Sequence, residues 1–152
     1  MIRLQIKDIL LDQSTGEPQV ILESEDTCSS ISVHIGPSEA NAILVALEGI
    51  TLPRPLTHDL IIRFFSRHGF TIKSLELYAF LDNKYYARLW YKKGFKRYNM
   101  EIRPSDGLAL VVRMGIPIYL KKELLALHPG IQLYLDRKEL YNNHSSAFGL
   151  SS

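Results

Sequence analysis

The sequence predicts an α+β fold in a single compact domain, a mixed β-sheet with repeated strand-(Pro-Ser-acid)-helix units. Three observations predict it. Gly36-Pro37-Ser38-Glu39-Ala40-Asn41-Ala42-Ile43-Leu44-Val45 aligns without gaps on Arg103 to Val112; the two share Pro, Ser, an acid, Ala and then branched aliphatics, and each follows an extended segment. Three runs rich in aromatic and branched residues, Phe70 to Leu81, Tyr85 to Lys93 and Phe95 to Ile102, are separated only by Asp82-Asn83 and Gly94, as in a meander. At the start of the chain, Ile2, Leu4 and Ile6 alternate with polar residues as a half-buried strand does.

In chain order, Met1 to Leu11 reads as a strand, Asp12 to Pro18 as a turn and Gln19 to Glu23 as its hairpin partner. After the polar stretch from Ser24 to Ser30, Ile31, Val33 and Ile35 lead into the first Pro-Ser-acid helix, which ends near Gly49. Pro53-Arg54-Pro55 forces an extended link, since each proline fixes its own φ and restrains its predecessor. Thr57 is then placed to cap a second helix, with Leu60, Ile61, Phe64 and Phe65 expected on its buried side and Gly69 stopping it. The meander feeds the helix after Arg103, whose Leu108 to Val112 run has no polar face and so belongs inside the fold. Pro117 to Leu120 is expected as a short edge strand, Lys121 to His128 as a short helix closed by Pro129-Gly130, and Ile131 to Leu135 as a last strand. The domain is thus drawn over residues 1–135, with 136–152 a C-terminal helix or tail.

With 152 residues the chain can bury about 68% of its unfolded surface without staples. A single cysteine, Cys28, rules out an internal disulfide and a cysteine-rich zinc site, which makes the cytoplasm the expected compartment. The N-terminus lacks a signal-peptide core and no apolar run nears the ~18 residues of a membrane span, so no membrane partner is expected. A net charge of +2 permits an anionic partner without arguing for one.

Chemistry concentrates in three places. Pro53 to Asp59 offers a guanidinium on a stiff spacer, then a hydroxyl, an imidazole and a carboxylate at a helix start; this suits a phosphate, gripped by Arg54, with Thr57, His58 and Asp59 at the helix mouth. Capping by Thr57 and dipole complementation by Asp59 explain the same residues equally well. His58 and Asp59, being adjacent, do not face each other, so His58 needs a partner elsewhere. Glu39 and Asp106 could hold Mg²⁺ or Mn²⁺, or could simply favour the positive ends of their helices. Arg103 could bind phosphate or pin its helix mouth by pairing with Asp106. Between Lys84 and Arg103, seven cations stand against the single acid Glu101, interleaved with Tyr86, Trp90, Tyr91 and Tyr98. Arg88, Trp90 and Arg97 would then form a nucleic-acid face, unless the strands are only a solvated sheet surface.

Ile35-Gly36 leading to Glu39-Ala40, then Arg54-Pro55-Leu56-Thr57-His58-Asp59, Tyr86-Ala87, Arg103-Pro104-Ser105-Asp106 and Pro117-Ile118 resembles the bifunctional nuclease family. From Leu4 to Leu135, the resemblance implies one α/β domain with a mixed sheet, usually self-associated as a homodimer, that degrades both RNA and DNA. It carries over Glu39, Arg54, Thr57, His58, Asp59, Arg103, Ser105 and Asp106 as site residues. The chain departs from the family in having Glu101 where Asp is usual and Gly107 where Ala is usual. The expected function is therefore a metal-assisted nuclease acting on nucleic acid: Glu39, His58, Asp59 and Asp106 catalytic, Arg54, Thr57, Arg103 and Ser105 on the substrate. The alternative is a non-catalytic anion- or nucleic-acid-binding regulatory homodimer.

Overall fold

The computed structural model describes residues 1–26 and 29–127. Seven strands form one mixed sheet: β1 (Ile2–Leu11), β2 (Pro18–Ser24), β3 (Ser30–His34), β4 (Thr71–Leu81), β5 (Lys84–Lys93), β6 (Lys96–Ile102) and β7 (Ile118–Leu120). Helices α1 (Pro37–Leu47), α2 (Thr57–Arg67) and α3 (Pro104–Met114) pack on one face, and a 3₁₀ helix (Lys122–Leu127) follows β7. The α+β class and both Pro-Ser-acid helices stand as the sequence predicts.

The strand order is β3-β2-β1-β7-β4-β5-β6. The three-residue β7 is therefore central, antiparallel to β1 and parallel to β4, and not the edge strand expected from its length and its preceding proline. Pro117 lies just before it, so no ladder hydrogen bond within the strand is lost; Ile118 is buried between Leu4 and Leu75, and Leu120 between Ile2 and Leu77. β7 joins the N-terminal three-stranded meander to the β4–β6 meander. The β4–β5 turn has positive φ at both Asp82 and Asn83, the requirement of a two-residue type I′ hairpin.

The core lies between the sheet and α3. Leu108, Ala109, Leu110 and Val111 are all buried, so α3 is covered on every side over one full turn. Gly107 lets it approach the sheet: a Cβ there would collide with the Leu75 side chain of β4. Helix α2 is more peripheral. Ile61, Ile62 and Phe65 pack against the core, whereas Leu60 and Phe64, expected to be buried, are 61% and 59% exposed. Its apolar residues span more than one stripe, and only the stripe turned towards α3 and β4 finds a partner; the Phe64 ring lies beside His68 instead. The short helix expected after β7 is a 3₁₀ helix whose Leu124 joins the core. Pro129-Gly130, the strand Ile131 to Leu135, the boundary at 135 and the tail 136–152 lie outside the described residues.

Gly107→Ala should lower stability by about 1–3 kcal/mol, even though Ala is the better helix former, because the added methyl overpacks Leu75. Chemical unfolding checks this; a neutral or stabilising change would mean that α3 is not pressed against β4.

Candidate active site

All three helices carry an acid at the third helical position. Glu39 follows Gly36, Asp59 follows Leu56 and Asp106 follows Arg103, each of these predecessors being the N-cap in extended conformation. Acids are favoured there because the first-turn N–H groups and the helix dipole present positive charge. Only two of the three copies are visible as a repeat, since α2 has Thr57-His58 where the others have Pro-Ser. Thr57 is thus the first helical residue and not the cap; Asp59 does the capping by accepting a hydrogen bond from the Leu56 amide at 2.9 Å.

The mouths of the three helices meet around the Arg103–Asp106 pair. Arg103 Nε and Nη2 donate to both carboxylate oxygens of Asp106 at 2.7 and 3.0 Å, and Nη2 also donates to Glu39 Oε1 at 3.1 Å. His58 Nε2 lies 3.5 Å from Asp106 Oδ1, so the imidazole has its partner on a different helix. The Glu39 carboxylate folds back over Gly36, where any Cβ would collide with it. The site therefore combines two carboxylates, one imidazole and one guanidinium from three helix N-termini. His58 is nearly covered, with 14% of its side chain exposed, while Arg103 is 67% exposed. Burial would raise the Asp106 carboxyl, but hydrogen bonding and charge from Arg103, helped by His58, outweigh it and hold it below the usual carboxylate range. The Arg103 guanidinium is pushed up mainly by its Asp106 hydrogen bonds.

Asp59 is directed elsewhere. Its Oδ1 accepts from Arg113 Nε of α3 at 2.9 Å, and Arg113 Nη1 reaches the Ala109 carbonyl at 2.6 Å. This part-buried pair bolts α2 to α3 one residue from His58. Arg113 escapes sequence reading, being one basic residue in a last turn where basic residues are common. Burial would raise the Asp59 carboxyl, yet the Leu56 amide and Arg113 hold it lowered. Ser105 is buried at the second position of α3. Arg54 and Thr57 are exposed beside the start of α2 and make no hydrogen bond with the Arg103 cluster among the described residues.

Arg88, Trp90 and Arg97 occupy the sheet face away from the helices, since Ala87 and Leu89 face the core. Two of them have partners there. Trp90 Nε1 donates to Glu76 Oε2 at 2.6 Å, and the Arg88 guanidinium sits 3.8 Å from the Tyr78 ring centroid, with the Tyr78 hydroxyl donating to Glu101 at 2.6 Å. That carboxylate raises the Tyr78 hydroxyl above its ordinary value. Glu76 is a buried acidic residue that sequence reading did not single out, because its strand position gives no sign of burial on this face.

The profile described as bifunctional nuclease domain matches residues 20–130. An uncharacterized protein of Mycobacterium tuberculosis is 32% identical over 123 residues, covering 81% of this chain and 73% of the relative. Bifunctional nuclease 1 of Oryza sativa subsp. indica is 21% identical over 127 residues, covering 81% of this chain and 38% of the relative. Bifunctional nuclease 1 of Arabidopsis thaliana is 22% identical over 111 residues, covering 70% and 34%.

Asp59 and Asp106 are both held low, so their ion pairs stabilise the fold at pH above the usual carboxylate range, and that stabilisation is lost as pH falls through their depressed values. Asp59→Asn should therefore lower the melting temperature at pH 7, corresponding to about 1–3 kcal/mol, with the deficit shrinking towards pH 3. A deficit constant from pH 7 to pH 3 would contradict the Asp59–Arg113 assignment.

Proposed function

The chain belongs to the bifunctional nuclease domain family, and from that premise we propose that it hydrolyses phosphodiester bonds of RNA and DNA at the Arg103 cluster. The observation that carries this is the meeting of His58, Glu39, Asp106 and Arg103 at three converging helix N-termini. Helix N-termini favour anions, and the exposed Arg103 guanidinium can turn from the carboxylates to a phosphate with bidentate geometry. Arg54, Thr57 and Ser105 stand at or beside the same helix mouths and extend the phosphate contact. His58 moves the proton, with Asp106 holding its ring, and Asp59 fixes the start of α2 through Arg113. Arg88, Trp90 and Arg97 give the substrate a further surface on the opposite sheet face.

The donors suit a hard divalent ion, because two carboxylates converge on one cationic nitrogen and Mg²⁺ or Mn²⁺ accepts one or two carboxylates completed by water and phosphate. Glu39 and Asp106 would hold it; bound, it supplies charge neutralisation at phosphate and a more acidic water. Among the described residues no helix is long and apolar enough to cross a membrane. We place the chain in the cytoplasm, as the single cysteine suggests. We also assign it a homodimeric state, for which the exposed Leu44, Leu47, Ile50 and Leu52 supply apolar surface; light scattering showing only a 17.4 kDa species would refute this. The pairing of both carboxylates with Arg103 favours a second reading, an anion-binding regulatory module in which the cluster is structural.

Cleavage of labelled RNA and DNA strands by identically purified wild type, Asp106→Asn, Glu39→Gln and His58→Ala, with Mg²⁺, Mn²⁺ or chelator, separates the two. The nuclease reading expects His58→Ala to lose about 10²–10⁴-fold in rate and Asp106→Asn to fall by orders of magnitude, while Asp106→Asn loses no more than about 1 kcal/mol of stability with its exposed Arg103 pair. Equal rates in all four proteins would leave the binding module.

A further inference from the structure

The β5–β6 hairpin ends in Lys92-Lys93-Gly94-Phe95-Lys96-Arg97, with Lys93 paired to Lys96 and Gly94 at φ 59°. That is a two-residue turn with glycine first, so the tip is a tight, defined II′-type loop. Phe95, at its second position, is fully exposed, the most exposed of the large hydrophobic residues among the described ones. Four cations surround it and no acid stands among them. Lys92 and Arg97 lie on the outer sheet face beside Trp90; Lys93 and Lys96 lie on the helix face, their ammonium groups 5.0 and 5.2 Å from the Phe70 and Tyr98 ring centroids. Those rings hold the two lysines beside the tip on a base formed by Phe65, Phe70, Tyr91 and Tyr98. A phenyl ring in water contributes nothing to the fold, and an aromatic flanked by cations is the pairing that single-stranded nucleic acid recognises through base stacking and phosphate contact.

We propose that this hairpin tip is a substrate finger, with Phe95 stacking on a base of a single strand and Lys93 and Lys96 holding the adjoining phosphates. It rests on the reading of the chain as acting on nucleic acid. The place of the tip in the fold favours a polymer over a lipid surface. Edge strand β6 runs from the finger directly to Arg103, so the eight residue steps from Phe95 to Arg103 set the two sites roughly 26 Å apart. A strand held at Phe95 can thus reach the helix mouths along β6, an edge strand among the described residues, whereas a dinucleotide cannot span both.

The test is binding in chelator, without turnover, of a fluorescein-labelled 12-nucleotide strand. Wild type should bind; Phe95→Ser should weaken affinity about tenfold, while Phe95→Trp should restore it and show indole quenching as the strand is added. Lys93→Ala with Lys96→Ala should lower the slope of log affinity against log salt by about 1.4, two phosphate contacts. Melting temperatures of all variants report folding. No binding by wild type would defeat the nucleic-acid reading itself. Wild-type binding with an unchanged Phe95→Ser variant would overturn the finger alone. So would Phe95-dependent binding to anionic phosphatidylserine vesicles without indole quenching by the strand, or dissociation of a dimer by Phe95→Ser.

Discussion

The site depends on α3 being buried on every side. A helix with Leu108, Ala109, Leu110 and Val111 all enclosed cannot rotate or slide without opening the core, so whatever stands at its mouth is fixed to about the precision of the core itself. Arg103 and Asp106 stand there. Gly107 brings that mouth down onto Leu75, and the Arg113–Asp59 pair draws α2 against the same helix, which places His58 over Asp106. The apolar run buries α3, and the buried helix in turn fixes the converging helix mouths through packing.

The two sets of charged contacts differ in character. Arg113 is 9% exposed and its partners are satisfied at both ends, so the bolt between α2 and α3 belongs to the framework. Arg103 is 67% exposed, and exposed pairs of that kind contribute no more than about 1 kcal/mol each. Under the proposed function such a guanidinium would turn to a phosphate, while Glu39 and Asp106 stay fixed at the starts of their helices. Rigidity in α3 with looseness in one side chain is what an anion-handling site needs.

Much of this was legible in the sequence because it follows from local rules. The Pro-Ser-acid starts, the Asp82-Asn83 turn and the enclosed run after Arg103 are each dictated by residues a few positions apart. Where an element departs from its local pattern, a long-range partner decides it. β7 has only three residues and looks like an edge strand, yet it lies centrally because β1 and β4 both need a partner there. Leu60 and Phe64 have the right period for a buried face, but α2 meets its neighbours along the adjacent stripe. Thr57 has a capping side chain but stands one residue too late, and Asp59 caps instead. Of the residues at the helix mouths, Glu39, His58, Arg103 and Asp106 come together, whereas Asp59 turns to Arg113, a contact across 54 positions that no local pattern announces.

We propose that a substrate phosphate lands where Arg103 now holds Asp106 and Glu39. The most direct measurement is the Arg103 side-chain Nε–H signal in a ¹⁵N-resolved NMR spectrum, assigned by its loss in Arg103→Lys and followed while a non-cleavable phosphorothioate oligonucleotide is added in chelator. A resonance that shifts saturably, at the same concentration that saturates backbone changes in the first turns of α1, α2 and α3, is the expected result. An Arg103 signal that stays in place while the oligonucleotide binds elsewhere would contradict the account.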